Sequence, residues 1–327
     1  MAHSDPSAAF RRIALTTTAT TYLLILVGGL VRASGAGLGC PDWPRCFGGW
    51  IPPASPADLP AGFDPAQFNA TLMWTEYLNR LLGVAVGLLI FATLVSAIRH
   101  HRHTRPILWP SVAAFLLVGF QGWLGGQVVA HELAAWIVTV HLIVAFVIVS
   151  LLLYATLFAW YRPDLRPTPR GDVPLAWTAA ALIALTLGQV ALGAQVRGGV
   201  DAALDRGVPR SDILASVGRV DLWHREMAAV VVGLTLVVAW LTWRQPRPRA
   251  VMRAATAVVG LVLCQIGLGT TMAYLALTPP AQVAHLTASS LLLGAQTVLF
   301  LLARWLPLGV ADGRGDIIPG RRSTVYG

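Results

Sequence analysis

The chain carries eight histidines, and three of them stand where an imidazole is costly unless it has a task. His141, His224 and His285 fall inside long apolar stretches. His3, His100, His101 and His103 lie in hydrophilic, basic segments that read as solvated, and His131 lies in a short connection that reads as surface. An intramembrane imidazole faces the interior of a bundle, where it either satisfies a polar neighbour or ligates a metal. Two imidazoles on neighbouring helices can supply both axial ligands of a haem, a flat apolar group suited to the inside of a four-helix bundle. There is no Cys-x-x-Cys-His, so covalent c-type attachment is excluded. Zinc fits less well, because two histidines without a carboxylate or thiolate at their depth make a poor closed site.

The elements that must position these residues are membrane helices. The sequence is 56% hydrophobic and only 12% charged. Its apolar residues form eight blocks, roughly 13–31, 75–98, 107–129, 135–160, 174–196, 222–243, 251–274 and 281–303, each long enough to cross about 30 Å of hydrocarbon as helix. A soluble all-α protein would not carry eight such blocks. Every basic residue is arginine, and 16 of the 24 fall in the tails and loops on the side that holds both termini. The positive-inside rule therefore predicts both termini in the cytoplasm of a multi-pass cell-membrane protein. The same bias accounts for the net charge of +9 without a nucleic-acid partner. A cleaved signal peptide over 13–31 is the other reading of the first block, but that block has a counterpart later in the chain.

That counterpart belongs to an internal repeat. Gly28-Gly29-Leu30-Val31-Arg32 answers Gly193-Ala194-Gln195-Val196-Arg197, and Asn79-Arg80 answers His224-Arg225. Gln121-Gly122-Trp123-Leu124-Gly125 answers Gln265-Ile266-Gly267-Leu268-Gly269, and His141-Leu142 answers His285-Leu286. The offset drops from 165 to about 145 after the first match, so the first outer loop, 32–73, is the longer one. The expected fold class is an all-α membrane protein of eight transmembrane helices in two tandem pseudo-symmetric four-helix bundles, related by an axis near the membrane normal. The divisions are a tail over 1–12, an N-terminal half over 13–160, a linker over 161–173, a C-terminal half over 174–303 and a tail over 304–327. The glycines of the odd-numbered spans suit close helix packing, and equally the approach of a flat cofactor to the backbone.

In the repeat, His141, His224, His285 and Asn79 all fall in the first two turns of even-numbered spans. The four positions therefore share one depth near the outer surface. Arg32 and Arg197 end the first and fifth spans, and Arg80 and Arg225 follow ligand positions. All four arginines lie where haem propionates would face water, a role that suits a planar guanidinium, although snorkelling arginines would lie there too. Glu76 stands one turn before Asn79 on the same helix face, where a carboxylate can handle a proton or simply favour the helix N-terminus. Cys40 and Cys46 can form a disulfide in an oxidising compartment. Cys264 has no partner in sequence and reads as a core residue.

These residues resemble the haem A synthase family. The likeness lies in two tandem four-helix halves, ligand positions on the even-numbered spans, the segment GLGCPDWPRC after the first span and a Glu-Tyr-x-x-Arg entry to the second. It covers about residues 13–303. It implies that the C-terminal half binds haem b between His224 and His285, with Arg197 and Arg225 at its propionates. It also implies that the N-terminal half takes haem O as substrate, at His141, Asn79, Arg32 and Arg80, and oxidises a ring methyl to the formyl group of haem A. Glu76 matches the family's acidic residue and is the implied catalytic group, and the Cys40–Cys46 pair is implied to matter for activity. The implied partners are haem O, haem O synthase, cytochrome oxidase assembly factors and, as electron donor, quinol. The chain departs from the family pattern at Asn79, where a histidine is usual. A b-type membrane cytochrome that oxidises quinol without modifying haem is the competing function, and a small-molecule transporter is a weaker one.

Overall fold

The computed structural model describes residues 6–161, 172–275 and 277–306. His3, most of the 161–173 linker and nearly all of the 304–327 tail lie outside the described residues. Among the described residues eight helices are long and apolar enough to cross a bilayer, and each covers one of the eight blocks read from the sequence, the seventh together with the π-helical turn Thr271–Leu275 that continues it. They are α1 (Pro6–Ala33), α2 (Ala70–His101), α3 (Arg105–Ala130), α4 (Ala135–Tyr161), α5 (Val173–Asp205), α7 (Arg219–Trp243), α8 (Arg249–Thr270) and α9 (Pro279–Trp305). A short helix, α6 (Ile213–Val217), lies in the connection after α5. The chain is a multi-pass membrane protein.

Local signals set the helix ends. Asn69 caps α2 by accepting the Leu72 N–H at 3.1 Å, and Asp172 caps α5 by accepting the Leu175 N–H at 3.3 Å. The Asn69 cap starts α2 five residues before its apolar block, so Asn79 lies nine residues beyond the first residue of its helix. His224, His285 and His141 lie only five to six residues in. Thus α2 has an extra turn, which carries Met73 and Glu76 into the long loop before it.

The helices close two rings. In the first, α1 packs on α2, α2 on α3, α3 on α4 and α4 on α1; in the second, α5, α7, α8 and α9 pair in the same order. Between the rings, α1 meets α9, α5 meets α4, and α4 meets α9. Exchanging the halves turns the first of these contacts into the second and leaves the third unchanged, as two-fold pseudo-symmetry about the α4–α9 contact requires. Ile25, Phe146, Val149, Val190 and Leu293 form the apolar cluster shared by both halves. Polar pins cross the same seam: Ser150 and Thr297 hydroxyls at 3.2 Å and Gln195 to the Thr139 hydroxyl at 2.9 Å, while Gln296 to the Thr186 hydroxyl at 2.9 Å ties α9 to α5 within the second ring. In an apolar bundle such bonds supply specificity that hydrophobicity cannot.

Two assignments made from the sequence are corrected here. Cys264 is exposed on α8 rather than in the core. A lipid-facing surface is as apolar as the interior, so residue type alone does not separate the two. His101 is not a solvated loop residue. Helix α2 continues through it, and its ring packs edge-on against Phe10 with centroids 5.1 Å apart. His100, His103 and His131 are exposed as expected.

Candidate functional site

The four candidate ligand positions lie at the end of the bundle that carries the 34–69 loop. Each even-numbered span presents one half-buried side chain there: Asn79 from α2, His141 from α4, His224 from α7 and His285 from α9. Each of the three histidines is supported from the preceding span by a glutamine. Nε2 of Gln121, Gln189 and Gln265 donates to the backbone carbonyls of His141, His224 and His285, at 2.9 Å in every case. In the second pair the amide nitrogen also stands 3.4 Å from His224 Nε2. At His285 the Ser289 hydroxyl joins, accepting from Gln265 at 2.6 Å and donating to the same carbonyl at 2.9 Å.

One turn after each glutamine is a glycine. A Cβ on Gly193 would come 3.1 Å from Cε1 of His224, on Gly269 3.6 Å from Cε1 of His285, and on Gly125 3.8 Å from Cε1 of His141. Bare backbone thus lies against each ring edge. Of the glycines left open by the sequence, as packing residues or as cofactor clearance, these three make room for imidazoles, while Gly29 and Gly198 pack against Leu286 and Ala135 of neighbouring helices.

At the fourth position the glycine survives and both partners change. Gly28 faces Asn79, with its Cβ position 4.0 Å from Oδ1. The place of the glutamine is taken by Leu24, which packs against the apolar cluster around Val86 and Ile90. Asn79 Oδ1, Nδ1 of all three histidines and Oε1 of all three glutamines are buried without a hydrogen-bond partner among the described residues. Leaving buried polar atoms unpaired costs about 1–3 kcal/mol each, so seven at four equivalent places mark a site rather than a packing accident.

The four arginines also converge on this end, and each has a carboxylate. Arg32 of α1 and Arg197 of α5 share Asp201, the latter pair at 2.7 Å and the former joining the two halves. Arg225 pairs with Asp221 at 2.8 Å, donates to the Tyr274 hydroxyl at 3.1 Å and lies over the Tyr274 ring. Arg80 is the most heavily used. Its Nη2 reaches Glu76 at 2.5 Å and the Cys40 carbonyl at 3.2 Å, while Nη1 reaches the carbonyls of Asp42 and Arg45 at 2.8 and 2.7 Å.

Glu76 is buried, and both of its oxygens are engaged. Oε1 accepts from Arg80 and Oε2 from the Cys40 N–H at 2.8 Å. Cys40 and Cys46 are joined as a disulfide. Their loop is closed internally by Asp42, which accepts the N–H groups of Phe47 and Gly48 at 2.6 and 2.9 Å. Phe47, Met73 and the two half-cystines form a buried cluster at the start of α2. Trp43 lies against Gly126 of α3, whose Cβ would stand 3.0 Å from the indole. Gly39 passes so close to α2 that a Cβ would meet the Leu72 carbonyl at 2.5 Å, so no other residue fits there.

This donor set fits a haem. Three imidazoles are hung from their own carbonyls beside bare glycine backbone, with arginines at the same end, and among the described residues no three His, Cys, Asp or Glu side chains converge as a compact metal cluster would need. The family model for cytochrome oxidase assembly proteins (COX15-CtaA) matches residues 11–297. The chain belongs to this family.

Family relatives named heme A synthase align over most of the chain. That of Methylobacterium sp. (strain 4-46) is 30% identical over 334 residues, covering 90% of this chain and 91% of the relative. That of Maricaulis maris is 29% identical over 331 residues, covering 89% and 94%. A third, from Shewanella oneidensis, is 31% identical over a shorter stretch of 181 residues, covering 54% and 53%. Family membership was legible in the sequence, but several working residues were not singled out. The three glutamines were visible only as part of a glycine-bearing motif. Asp221 is the repeat counterpart of Glu76, one turn before the ligand position, and the repeat alignment would have found it. Asp201 has no counterpart, because its repeat position is Ala36, and only the approach of α1 to α5 brings it to Arg32.

Proposed function

We propose that this chain is an oxidoreductase of haem A synthesis, which converts the ring methyl of haem O to the formyl group of haem A. The supporting observation is the unequal pairing of ligand positions: two supported imidazoles in the C-terminal half, one imidazole and an asparagine in the N-terminal half. A resident group should be held tightly and a substrate should leave, and bis-histidine and single-histidine ligation suit those two needs.

In this reading residues 174–303 hold a b-type haem through His224 and His285, with Arg197 and Arg225 at its propionates. That group supplies one-electron chemistry at its iron. Residues 13–160 receive haem O. His141 takes its iron on one side, Asn79 faces the other, and Arg32 and Arg80 bind at the propionate edge. Glu76, one turn from Asn79, is the carboxylate assigned to proton handling near the reacting methyl. The Cys40–Cys46 loop lies on the outer side of the cell membrane, where oxidation of the cysteines is favoured. Haem O synthase and oxidase assembly factors are the partners that would supply substrate and receive product, and quinol is the assigned electron donor.

One observation favours the rival reading, a b-type cytochrome that only transfers electrons. Both oxygens of Glu76 already bind the loop and Arg80, which leaves the group a structural use without chemistry. Expressing the chain with a supply of haem O and extracting its pigments separates the two. Haem A or a hydroxylated haem O is the expected product; bound haem b with neither product would overturn the synthase reading.

A further inference from the structure

We infer that Gln121, Gln189 and Gln265 are positioning residues for haem ligation, and that the N-terminal site is single-histidine by construction because Leu24 and Asn79 together replace a glutamine–histidine pair. The inference rests on the haem reading above. It deepens that reading by stating what orients each ligand and why one site has fewer.

Each histidine carbonyl is already part of its own helix, and the glutamine amide uses the oxygen's second lone pair. The bond therefore ties the ligand residue's backbone, and not merely its helix, to the neighbouring span. The glycine one turn away presents bare backbone to the ring edge. Depth comes from the amide and ring azimuth from the glycine, the kind of outer support that sets ligand geometry at metal sites.

Ordinary polar contact between helices would not select this target. Gln195 and Gln296 also bond across helices, but to threonine hydroxyls. The three glutamines beside histidines each choose the ligand residue's own carbonyl, at one distance.

At the fourth position an isolated loss of histidine would leave a glutamine behind. Leu24 stands there instead, packed into an apolar cluster, while Gly28 keeps the clearance that a ring would need. Support and ligand are absent together and the space remains. The N-terminal site therefore offers one strong ligand and one open face, which lets a haem substrate enter, be reached and leave.

The test compares the full chain purified from membranes with Gln189→Leu, Gln265→Leu, Asn79→His and the double variant Leu24→Gln/Asn79→His. Gln127→Leu, whose side chain forms no hydrogen bond among the described residues, reports any general cost of removing an amide from a helix. Readouts are the low-spin haem signal by paramagnetic resonance, carbon monoxide binding, and haem loss to excess apomyoglobin.

Gln189→Leu and Gln265→Leu are expected to lose haem about 10- to 100-fold faster than the wild type and to gain carbon monoxide binding, with Gln127→Leu unchanged. The double variant is expected to hold a second low-spin haem per chain, and Asn79→His alone substantially less of it. A wild-type low-spin haem that neither Gln→Leu change moves would overturn the inference alone. So would Asn79→His matching the double variant. A wild-type chain with no low-spin haem would overturn the underlying haem reading and this inference with it. If a Gln→Leu variant does not accumulate, the two Asn79 variants decide the question by their haem content.

Discussion

Glu76 and Arg80 in the N-terminal half have side chains 5% and 15% exposed, and both reach into the Cys40–Cys46 loop. Asp221 and Arg225 hold the corresponding places in the C-terminal half, 16% and 42% exposed, and meet one another, with Arg225 also on Tyr274. The local code is the same in both: an acid, a candidate ligand position three residues on, and an arginine after it. What differs is the chain folded over it. The long loop before α2 brings three backbone carbonyls and an N–H to the acid–arginine pair, whereas the connection with α6 leaves Arg225 half in solvent. A repeat thus preserves a motif while its surroundings reassign it, to a clamp in one half and to a rim pair in the other.

The comparison breaks most visibly at the ligands. His224→Ala or His285→Ala is expected to abolish the low-spin bis-histidine spectrum of the purified protein, while His141→Ala leaves it intact. Equal loss in all three would mean that the halves do not differ as described.

Arginine removal should sharpen the contrast next. Arg80→Leu strips a largely buried carboxylate of its partner and should cost about 3–5 kcal/mol. Arg225→Leu, at an exposed pair, should cost under about 1 kcal/mol. Thermal unfolding of both variants in detergent measures the gap, and similar midpoints would show that the loop does not depend on the clamp. Replacing both Cys40 and Cys46 by serine opens a short covalent ring and should cost roughly 2 kcal/mol in the same assay. Reductant should reproduce that loss in the wild type but not in the variant. The smallest effect belongs to the seam: Gln195→Leu or Thr297→Val removes one hydrogen bond between the halves and should cost about 1 kcal/mol. A much larger loss would mean that polar pins rather than apolar packing join the halves.

The eight spans were legible because a bilayer accepts little except long apolar helices, and the repeat was legible because Gln-x-x-x-Gly and the histidines recur at fixed spacing. The position of Asn79 as the odd ligand followed from that alignment alone. Cys264 was misplaced because the inside and outside of a membrane bundle have similar composition. His101 was misplaced because helix α2 runs on past its apolar block into basic residues.

The sequence by itself determined the number of membrane-spanning helices, the repeat that relates them, the set of ligand candidates and the family, since each depends on residue type and spacing along the chain. Tertiary structure alone decided which partner each group received. It sent the glutamines to histidine carbonyls, both Glu76 oxygens to the loop and Arg80, and Arg32 across the seam to Asp201. Those choices depend on distances between residues far apart in sequence, and only the packing of the helices sets those distances.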